Sequence, residues 1–222
     1  MPIRVPNPEL IDGQSIISRQ LSLLCMCGID EVIVTTGYYD KVLKNYCKSL
    51  NLPIKYTFVK NHIYNKTNYI YSIYCAKDFL VNEDIILMHG DLVFESEVLK
   101  AVISNKNSCM TVSSTLPLPE KDFKAVIGEN SIKKIGVEFF NGALSAQPLY
   151  KLKATDWNIW LQKIVEFCEN DNRKCYAENA FNEVSEECKI YILDVKEKLC
   201  AEVDTPMDLE VVNNKIKELK GD

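Results

Sequence analysis

Two acidic segments of this chain follow patterns typical of strand ends. Residues 85–94 read Ile-Ile-Leu-Met-His-Gly-Asp-Leu-Val-Phe, an apolar run that stops at a Gly-Asp step and predicts the carboxylate of Asp91 at the end of a strand. Open α/β sheets bind their ligands at this end of the strands. A second segment, Glu202-Val203-Asp204, precedes a Thr-Pro turn and a helix start. We therefore expect Asp91 and Asp204 to converge on one metal ion.

Each of these acidic residues also has a purely structural interpretation. Aspartate is common in turns that follow strands, so Asp91 can be a turn residue. Asp204, with Asp208 in the first helical turn, can cap the helix that starts at Pro206, and capping is compatible with metal binding. His89 is interpreted as a hydrogen-bonded core histidine, because no second histidine or cysteine pair is placed beside it.

The composition describes one large globular domain over residues 1–222, with 47% hydrophobic and 26% charged residues. The net charge of −5 comes from interspersed acids and bases, which argues against a nucleic-acid surface. No apolar run is long enough for a membrane span. The nine cysteines are an odd number and form no Cys-x-x-Cys pair, so we expect reduced thiols and a cytoplasmic protein.

Helical and extended patterns alternate along the first half of the chain, as in a doubly wound sheet. We predict a Rossmann-like α/β fold with a mixed, mainly parallel sheet and helices on both faces. Residues 117–150 are expected to add a small antiparallel insertion on the acceptor side. The predicted strands cover 31–37, 54–59, 84–88, 108–115, 123–127, 131–135 with a third segment to 140, 143–149 and 189–195. The predicted helices cover 15–28, 39–50, 69–80, 96–104, 155–169, 177–184 and 206–220.

The order and spacing of five short motifs resemble the nucleotidyltransferases that activate sugar phosphates and small alcohol phosphates. The motifs are Gly-Gln-Ser-Ile-Ile at 13–17, the segment 28–38, Thr67-Asn68, Gly90-Asp91 and Glu202-Val203-Asp204. Within that group the chain is most similar to cytidylyltransferases for phosphocholine and small alkylphosphonates. The resemblance implies a nucleotide-diphospho-sugar transferase-like fold. It also implies cytidylyl transfer from CTP to a small phosphate or phosphonate, such as phosphocholine or 2-aminoethylphosphonate, with release of pyrophosphate.

The resemblance implies roles for the motif residues. It matches Asp91 and Asp204 to the two metal-binding aspartates of the family, with Mg²⁺ as the cofactor; such a site suits a transfer that depends on charge neutralisation. Glu202 lies on the same side of an extended segment as Asp204, and we expect it to orient the site. The residues expected near the nucleotide are Thr67, Asn68 and Gly90.

The acceptor side is expected within and after the antiparallel insertion. Lys124 is a candidate catalytic partner of the acceptor phosphate, and its alternative interpretation is a solvated strand residue. The polar residues expected to line the acceptor pocket are Gln147, Glu178, Asn179 and Tyr150. An aromatic surface for a trimethylammonium group is a further hypothesis for Tyr150, Trp157, Trp160 and Tyr176. The spacing of the two tryptophans is more typical of helix packing than of a cation-binding cage, so packing is the favoured interpretation.

The front of the chain departs from the family pattern. The family begins with a buried strand, a Gly-x-Gly-x-Arg loop and a Pro-Lys step that hold the triphosphate. Here residues 5–10 occupy the Pro-Lys region, with Pro6 or Asn7 where the lysine is expected and Arg4 as the nearby cation. We expect an incomplete N-terminal part without the first strand and the nucleotide loop, which leaves the strands near 32–35 and 85–88 without their shared neighbour.

Two other functions stay open at this point. One is a sugar 1-phosphate nucleotidyltransferase, which needs more hydroxyl-binding side chains after residue 148 than the sequence offers. The other is a non-catalytic binding or assembly module that keeps the fold without the nucleotide loop. An uncovered apolar strand edge also favours a homo-oligomer.

Overall fold

The fold is described by a computed structural model that covers residues 10–129 and 131–221. Arg4, Pro6 and Asn7, on which the expectation of a missing lysine rests, lie outside the described residues.

The described residues form twelve strands and seven α-helices, which largely alternate up to β7 and then give way to the consecutive strands β7–β10. The strands are β1 (Leu10–Ile11), β2 (Gln14–Ser15), β3 (Glu31–Thr36), β4 (Lys55–Lys60), β5 (Ile85–Met88), β6 (Leu92–Phe94), β7 (Cys109–Ser113), β8 (Lys124–Ile127), β9 (Ile132–Gly136), β10 (Ala143–Leu152), β11 (Tyr191–Asp194) and β12 (Cys200–Glu202). The helices are α1 (Ile16–Met26), α2 (Asp40–Ser49), α3 (Tyr69–Ala76), α4 (Ser96–Ser104), α5 (Ala154–Glu169), α6 (Ala177–Val184) and α7 (Pro206–Lys220). Tyr64–Lys66 and Lys77–Phe79 are short 3-10 helices.

The main sheet is organised around the long strand β10. One edge of β10 pairs antiparallel with β7, which in turn pairs parallel with β11. The other edge pairs antiparallel with β8 in its first half and with β5 in its second half, and β9 continues the sheet from β8. The sheet is therefore mixed, and the insertion that begins after Pro117 is continuous with it rather than separate.

Alternate side chains of β5 pack against different hydrophobic clusters, as the two-residue period of a strand requires. Ile85 and Leu87 contact the larger cluster, which includes side chains of α3, α5 and α6. Ile86 and Met88 contact a second cluster, which includes side chains of α1 and α4. Helices thus cover both faces of a mixed sheet, which confirms the predicted α/β class. The sheet is not mainly parallel as expected, because β10 pairs antiparallel with β5, β7 and β8.

An apolar groove separates β5 from the β3–β4 pair. Among the described residues, β3 pairs only with β4, in parallel, and β5 pairs only with β10. The groove has a volume of about 1100 Å³ and is lined along its length by residues 31–35 of β3 and 85–88 of β5. Side chains of α1 and α3 also line it, including Leu21, Leu24 and Ile73. Two strand edges therefore face one slot between helices.

Some elements were not visible in the sequence pattern. The strands β1, β2, β6 and β12 have only two or three residues each, too few for a periodic signal. The third extended segment expected up to residue 140 is irregular, and β10 instead extends to Leu152. None of the helices in the described part of the chain combines the length and apolar character needed to cross a bilayer.

Candidate active site

A short antiparallel ribbon brings the two acidic segments together. β6 pairs with β12 so that Leu92 lies opposite Glu202, and the N–H of Val203 donates to the carbonyl of Asp91 at 3.1 Å. β6 follows the end of β5 after a three-residue turn, and β12 leads into α7. Asp91, Glu202 and Asp204 consequently line the same end of the groove, although they are far apart in sequence.

The centre of the site is a cluster formed by His89, Asp91 and Glu202. One potential metal-ligand atom from each residue lies within 4.8 Å of the other two. Nδ1 of His89 donates to Oε1 of Glu202 at 2.8 Å, and these side chains are 18% and 14% exposed. His89 and Asp91 are two residues apart, so an extended turn can direct both side chains to one side.

Two atoms of this cluster are buried without a hydrogen-bond partner among the described residues. They are Oδ1 of Asp91 and Nε2 of His89. Buried polar atoms are normally satisfied, and an unpaired carboxylate oxygen is costly to bury. The orphaned oxygen of Asp91 therefore marks a position where a ligand is expected.

Burial and mutual charge change the proton affinities of the cluster. Burial lowers the pKa of His89, but the hydrogen bond that His89 donates to Glu202 and the negative charges of Glu178 and Asp91 outweigh it, so the pKa is raised above its usual value. Burial also raises the pKa of Glu202, against the opposing effect of His89. Additional positive charge at this position would stabilise the ionised carboxylates.

The turn between β5 and β6 is held by a buried glutamine of α1. Nε2 of Gln20 donates to the carbonyl oxygens of His89, at 2.9 Å, and Leu92, at 2.8 Å. Gln20 is only 4% exposed. Both hydrogens of its amide group are used, so α1 fixes the backbone that carries His89 and Asp91.

Aromatic rings form a wall beside the cluster. The ring of Tyr69 contacts His89 edge-on at a centroid distance of 4.6 Å, and Phe123 contacts Tyr176 at 5.0 Å. Tyr69, Phe123 and Tyr176 all line the groove. Below this wall the buried carboxylate of Glu178 accepts hydrogen bonds from the hydroxyls of Tyr69 and Tyr150. Burial and the charge of Glu178 raise the pKa of both tyrosines well above the usual value.

The start of α3 places Tyr69 in the wall. Asn68 caps the helix by accepting a hydrogen bond from the backbone N–H of Tyr69 at 2.7 Å, and it lines the groove. Thr67 accepts from Asn61 at 3.0 Å and donates to the carbonyl of Ile63 at 3.1 Å. Thr67 therefore holds the preceding turn, while Asn68 is the member of this pair that faces the groove.

The residues expected at the metal and the nucleotide do not all lie in the central cluster. Asp91 is in the central cluster with Glu202, for which we had expected an orienting role. Asp204 is exposed and lines the groove next to this cluster, as does Gly90. The backbone N–H of Asp204 donates a hydrogen bond to the carboxylate of Asp208 at 3.2 Å. The segment that contains Glu202 of the cluster thus also begins the cap of α7.

Most residues expected at the acceptor pocket lie elsewhere. Lys124 is fully buried and donates to backbone carbonyls, so the structure corrects its interpretation as a phosphate partner or a solvated residue. Gln147 and Tyr150 are buried on β10, and Glu178 is buried under the aromatic wall. The side chain of Asn179 accepts from the N–H of Tyr176 and caps α6. None of these five residues lines the groove. Their side chains bond within the fold, except that Oε1 of Gln147 is buried without a partner among the described residues.

The predicted aromatic surface is corrected in the same way. Trp157 and Trp160 are both 0% exposed and stack edge-on in the core at 5.7 Å, which is the packing interpretation of their spacing. Their indole N–H groups donate to backbone carbonyls at 2.9 Å. Of the four aromatic residues considered, Tyr176 is the one that lines the groove.

Sequence reasoning missed several residues of the site. His89 was interpreted as a core residue, but its two-residue spacing from Asp91 was a signal that both lie on one side of the strand end. Gln20 is a single polar residue in an apolar helical stripe, which is the only signal that it is tied to another element. Tyr69, Asp122 and Phe123 have no sequence signature, because their location depends on which loops the fold brings to this edge.

The donor set fits a hard divalent cation. Carboxylate oxygens are the protein ligands that Mg²⁺ prefers, and the buried oxygen of Asp91 has no other partner among the described residues. Nδ1 of His89 is already bonded to Glu202 and orients that carboxylate. Asp122 lies nearby, where partial burial and the charges of Asp204 and Asp208 raise its pKa. This concentration of negative charge favours the binding of a cation.

Solved structures with the same architecture are nucleotidyltransferases. The inositol-1-phosphate CTP transferase from T. maritima matches with a TM-score of 0.75 and 19% identity, over 97% of this chain and 90% of that one. The CTP:phosphocholine cytidylyltransferase from Streptococcus pneumoniae matches with a TM-score of 0.72 and 16% identity, over 97% and 92% of the two chains. The fold is therefore that of the nucleotidyltransferase class.

The chain belongs to the family described as Domain of unknown function (DUF6564), whose pattern matches residues 11–130. A CTP:phosphoglutamine cytidylyltransferase from Campylobacter jejuni is 30% identical over 120 residues, which are 50% of this chain and 46% of that protein. A CMP-5'-(3-aminopropyl)phosphonate synthase from Streptomyces rubellomurinus is 27% identical over 112 residues, 50% of this chain and 18% of the other. The chain thus spans less than half the length of these curated relatives. Their names confirm the resemblance to cytidylyltransferases.

Proposed function

We propose that this protein transfers a cytidylyl group from CTP to a small phosphate or phosphonate. An oxygen of the acceptor attacks the α-phosphorus of CTP, and the bond to pyrophosphate breaks, so that a CMP-linked product and pyrophosphate are formed. The observation that carries the proposal is the cluster of Asp91 with Glu202 at the strand end, where one buried carboxylate oxygen has no partner within residues 10–129 and 131–221. The similarity to two curated cytidylyltransferases supports the same reaction.

Mg²⁺ is the proposed cofactor. Asp91 and Glu202 would hold it, with Asp204 close by at the end of the groove. When bound, the ion would neutralise phosphate charge during the transfer. The chain's own residues keep this site in shape: His89 orients Glu202, and Gln20 fixes the turn before Asp91.

The proposed acceptor carries a cationic group in addition to its phosphate or phosphonate. The wall formed by Tyr69, Phe123 and Tyr176 offers aromatic faces and edges, and Asp122 and Asp204 add negative charge beside it. Phosphocholine and 2-aminoethylphosphonate combine these two chemical features. A sugar 1-phosphate would instead require hydroxyl-binding side chains, and the polar residues Gln147 and Glu178 are buried away from the groove.

Full activity in this proposal requires one more strand between β3 and β5, with a phosphate-binding loop after it. Support comes from the two strand edges that face the same groove and from helices α1 and α3, which close it on both sides. Among the described residues the lysines lining the groove are Lys55 and Lys121. The positive charge of two lysines is small compared with the negative charge of a triphosphate and the carboxylate cluster. The additional loop would bind the phosphates through its backbone N–H groups.

The decisive experiment is a pyrophosphate-release assay with CTP and Mg²⁺. The acceptors are phosphocholine, 2-aminoethylphosphonate and glucose 1-phosphate, each tested with the chain alone and with an N-terminal extension that encodes a strand and a Gly-x-Gly-x-Arg loop. We expect release with the first two acceptors and an increase when the extension is present. Folded protein that is silent with every acceptor, in both forms, would contradict the enzymatic proposal.

A non-catalytic binding module is the second candidate. The observation that favours it is the groove between β3 and β5, which no strand among the described residues fills. Calorimetry separates the two functions, because a catalytic site must bind CTP more tightly in the presence of Mg²⁺. Binding that is indifferent to Mg²⁺, together with silence in the assay, would support the module. Gel filtration of the same samples tests whether the open edges pair in a homo-oligomer.

A cytoplasmic location is part of the proposal as well. All nine cysteines are free, and Cys47, Cys109, Cys168, Cys188 and Cys200 are buried. Burial raises the pKa of Cys188 and of Cys200 to about 12, so these thiols are unreactive. A set of free, mainly protected thiols suits a reducing compartment.

A further inference from the structure

Lys124, the first residue of β8, is a cation buried entirely within the protein. It is 0% exposed, and its backbone pairs with Gly136 of β9 and Ser145 of β10. Among the described residues no carboxylate oxygen lies within 4.0 Å of Nζ, so the charge has no ion-pair partner. A buried charge of this kind is costly unless hydrogen bonds replace its hydration.

Backbone carbonyls supply that replacement. Nζ donates to the oxygens of Val137 at 2.7 Å, Asp122 at 3.0 Å and Glu120 at 3.4 Å. An ammonium group has three donors, and all three are engaged. The ring of Phe140 lies over Nζ with its centroid 4.3 Å away, which adds a cation–π contact and excludes water.

These bonds connect two irregular segments that lack regular pairing. Between Pro117 and Asp122 the described chain makes no hydrogen bonds apart from those that Lys124 donates to Glu120 and Asp122. Val137 follows the last residue of β9 on the other side of the lysine. Lys124 thus fastens a loop that is otherwise held only by packing.

The fastened loop forms one wall of the groove. Lys121, Asp122 and Phe123 line it at the end that contains Asp91 and Asp204. Phe123 contacts the ring of Tyr176 at 5.0 Å and that of His89 at 6.1 Å. The position of this wall relative to the carboxylate cluster therefore depends on the loop backbone that Lys124 holds.

We propose that Lys124 is a positioning residue, whose buried ammonium group fixes the acceptor-side wall through backbone carbonyls without contacting the acceptor. That the wall contacts the acceptor rests on the proposed function. That Lys124 holds the wall in place rests only on its hydrogen bonds. It assigns to Lys124 control over acceptor binding and little influence on CTP binding.

The test compares Lys124→Met with Lys134→Met. Both substitutions remove an ammonium group and keep a similar chain length, but Lys134 is exposed on β9. Hydrogen exchange followed by mass spectrometry reports on residues 117–123, and pyrophosphate release reports the KM for each substrate. For Lys124→Met we expect faster exchange in 117–123 and an acceptor KM raised about ten-fold or more, since each charge-assisted bond contributes more than the equivalent of that factor. The KM for CTP should change by less than about two-fold, and Lys134→Met should resemble the wild type.

The two levels of the proposal fail in different ways. Exchange in 117–123 that is unchanged in Lys124→Met would overturn the positioning role, whatever the activity. Increased exchange combined with equal rises in both KM values would restrict Lys124 to stability and also overturn it. A wild-type protein without transferase activity would contradict the proposed function, while the exchange measurement would still decide whether Lys124 fastens the loop. Lys124→Gln, which retains an amide donor, should lie between the wild type and Lys124→Met and replaces the latter if that variant does not fold.

Discussion

Strand β7 has a hydrogen-bonded neighbour on each side, β10 and β11, whereas β5 has only β10 among the described residues. All five residues of β7 are buried, although the strand includes Thr111 and Ser113. All four residues of β5 are apolar, yet each is only partly buried. Burial of a strand therefore depends more on the strands and helices that pack beside it than on its own composition.

The two strands also differ in what lies at their ends. β7 leads into a turn in which Ser113 and Asp194 hold the backbone, with bonds from Ser113 to Lys196 and from Ser114 to Asp194. β5 leads directly to His89 and Asp91, which contain the unpaired buried atoms. The hydroxyls of Thr111 and Ser113 on β7 thus bond within the fold, whereas the end of β5 leads to buried atoms that have no partner among the described residues.

The largest effect is expected from a matched pair of methionine substitutions. Met110→Ala in β7 removes a side chain that is 0% exposed and should lower the free energy of unfolding by about 2–5 kcal/mol. Met88→Ala in β5 should cost less than half as much, because this side chain is only partly buried beside the groove. Urea denaturation measures both. Equal costs would show that β5 is packed as completely as β7 and would break the comparison.

Substitutions at the end of β5 should instead lower the enzymatic activity. Asp91→Asn retains the shape of the side chain but removes the charge, and we expect kcat/KM for transfer to fall by about 10²–10³-fold, the scale for loss of one electrostatic group in an active site. The melting temperature should stay close to that of the wild type, because Oδ1 of Asp91 has no hydrogen bond to lose in the part of the chain that the structure describes. Asp78→Asn, whose side chain is 82% exposed, is the control. Unchanged kcat/KM in Asp91→Asn would remove Asp91 from the proposed site.

Gln20 links the two regions, since it lies on α1 and holds the turn that follows β5. Gln20→Met keeps the volume but leaves the carbonyls of His89 and Leu92 without their donor, which should cost about 1–3 kcal/mol of stability. Mg²⁺ should also protect the variant less well than it protects the wild type in thermal unfolding. Gln162→Met, at an exposed position of α5, is the comparison and should be neutral. Stability equal to that of Gln162→Met would show that the turn is held by other contacts.

The smallest effect is expected at the beginning of β5. Asp84 accepts a hydrogen bond from the backbone N–H of Ala154 and pairs with Lys153, and these contacts lower its pKa below 3.8. The native state therefore binds the proton less tightly than the unfolded state, so the stabilisation is complete above about pH 4 and is lost as the pH falls through the lower native pKa. Because this side chain is 53% exposed, the contribution is expected to be below about 1 kcal/mol.

Urea denaturation at pH 5 and pH 3 measures the contribution of Asp84 to the free energy of unfolding, by comparing variants with the wild type. The stability of Asp84→Asn should fall less between the two pH values than that of the wild type. Asp78→Asn should follow the wild type, because its carboxylate is mainly exposed. A parallel loss in all three proteins would assign the acid sensitivity to other carboxylates.

The sequence predicted the long elements of the fold because their periodic patterns are local. The helical pattern at 155–169 corresponds to α5 (Ala154–Glu169), and the extended pattern at 31–37 corresponds to β3. The motif Gly-Asp at 90–91 also placed Asp91 correctly after a strand. These features depend only on neighbouring residues and on the alternation of apolar and polar side chains.

The acceptor side could not be predicted in the same way. Lys124 and Glu178 are charged residues, and from the sequence they were expected at the surface of a pocket. In the structure, Lys124 is surrounded by three carbonyls and Glu178 by two tyrosine hydroxyls. Whether a charged side chain points to a ligand or to the interior depends on partners from distant segments, about which the local pattern contains no information.

Local sequence patterns were enough to predict the α/β class, most of the long helices and strands, and the position of Asp91 after a strand. The tertiary structure alone decided that Glu202 joins Asp91 and His89, that Tyr69, Phe123 and Tyr176 form a wall, and that β3 and β5 border one groove. The physical reason is the range of the interactions. Backbone propensity and periodicity act within a few residues, whereas ligand clusters and strand neighbours are set by contacts between segments that the chain separates by up to 113 positions.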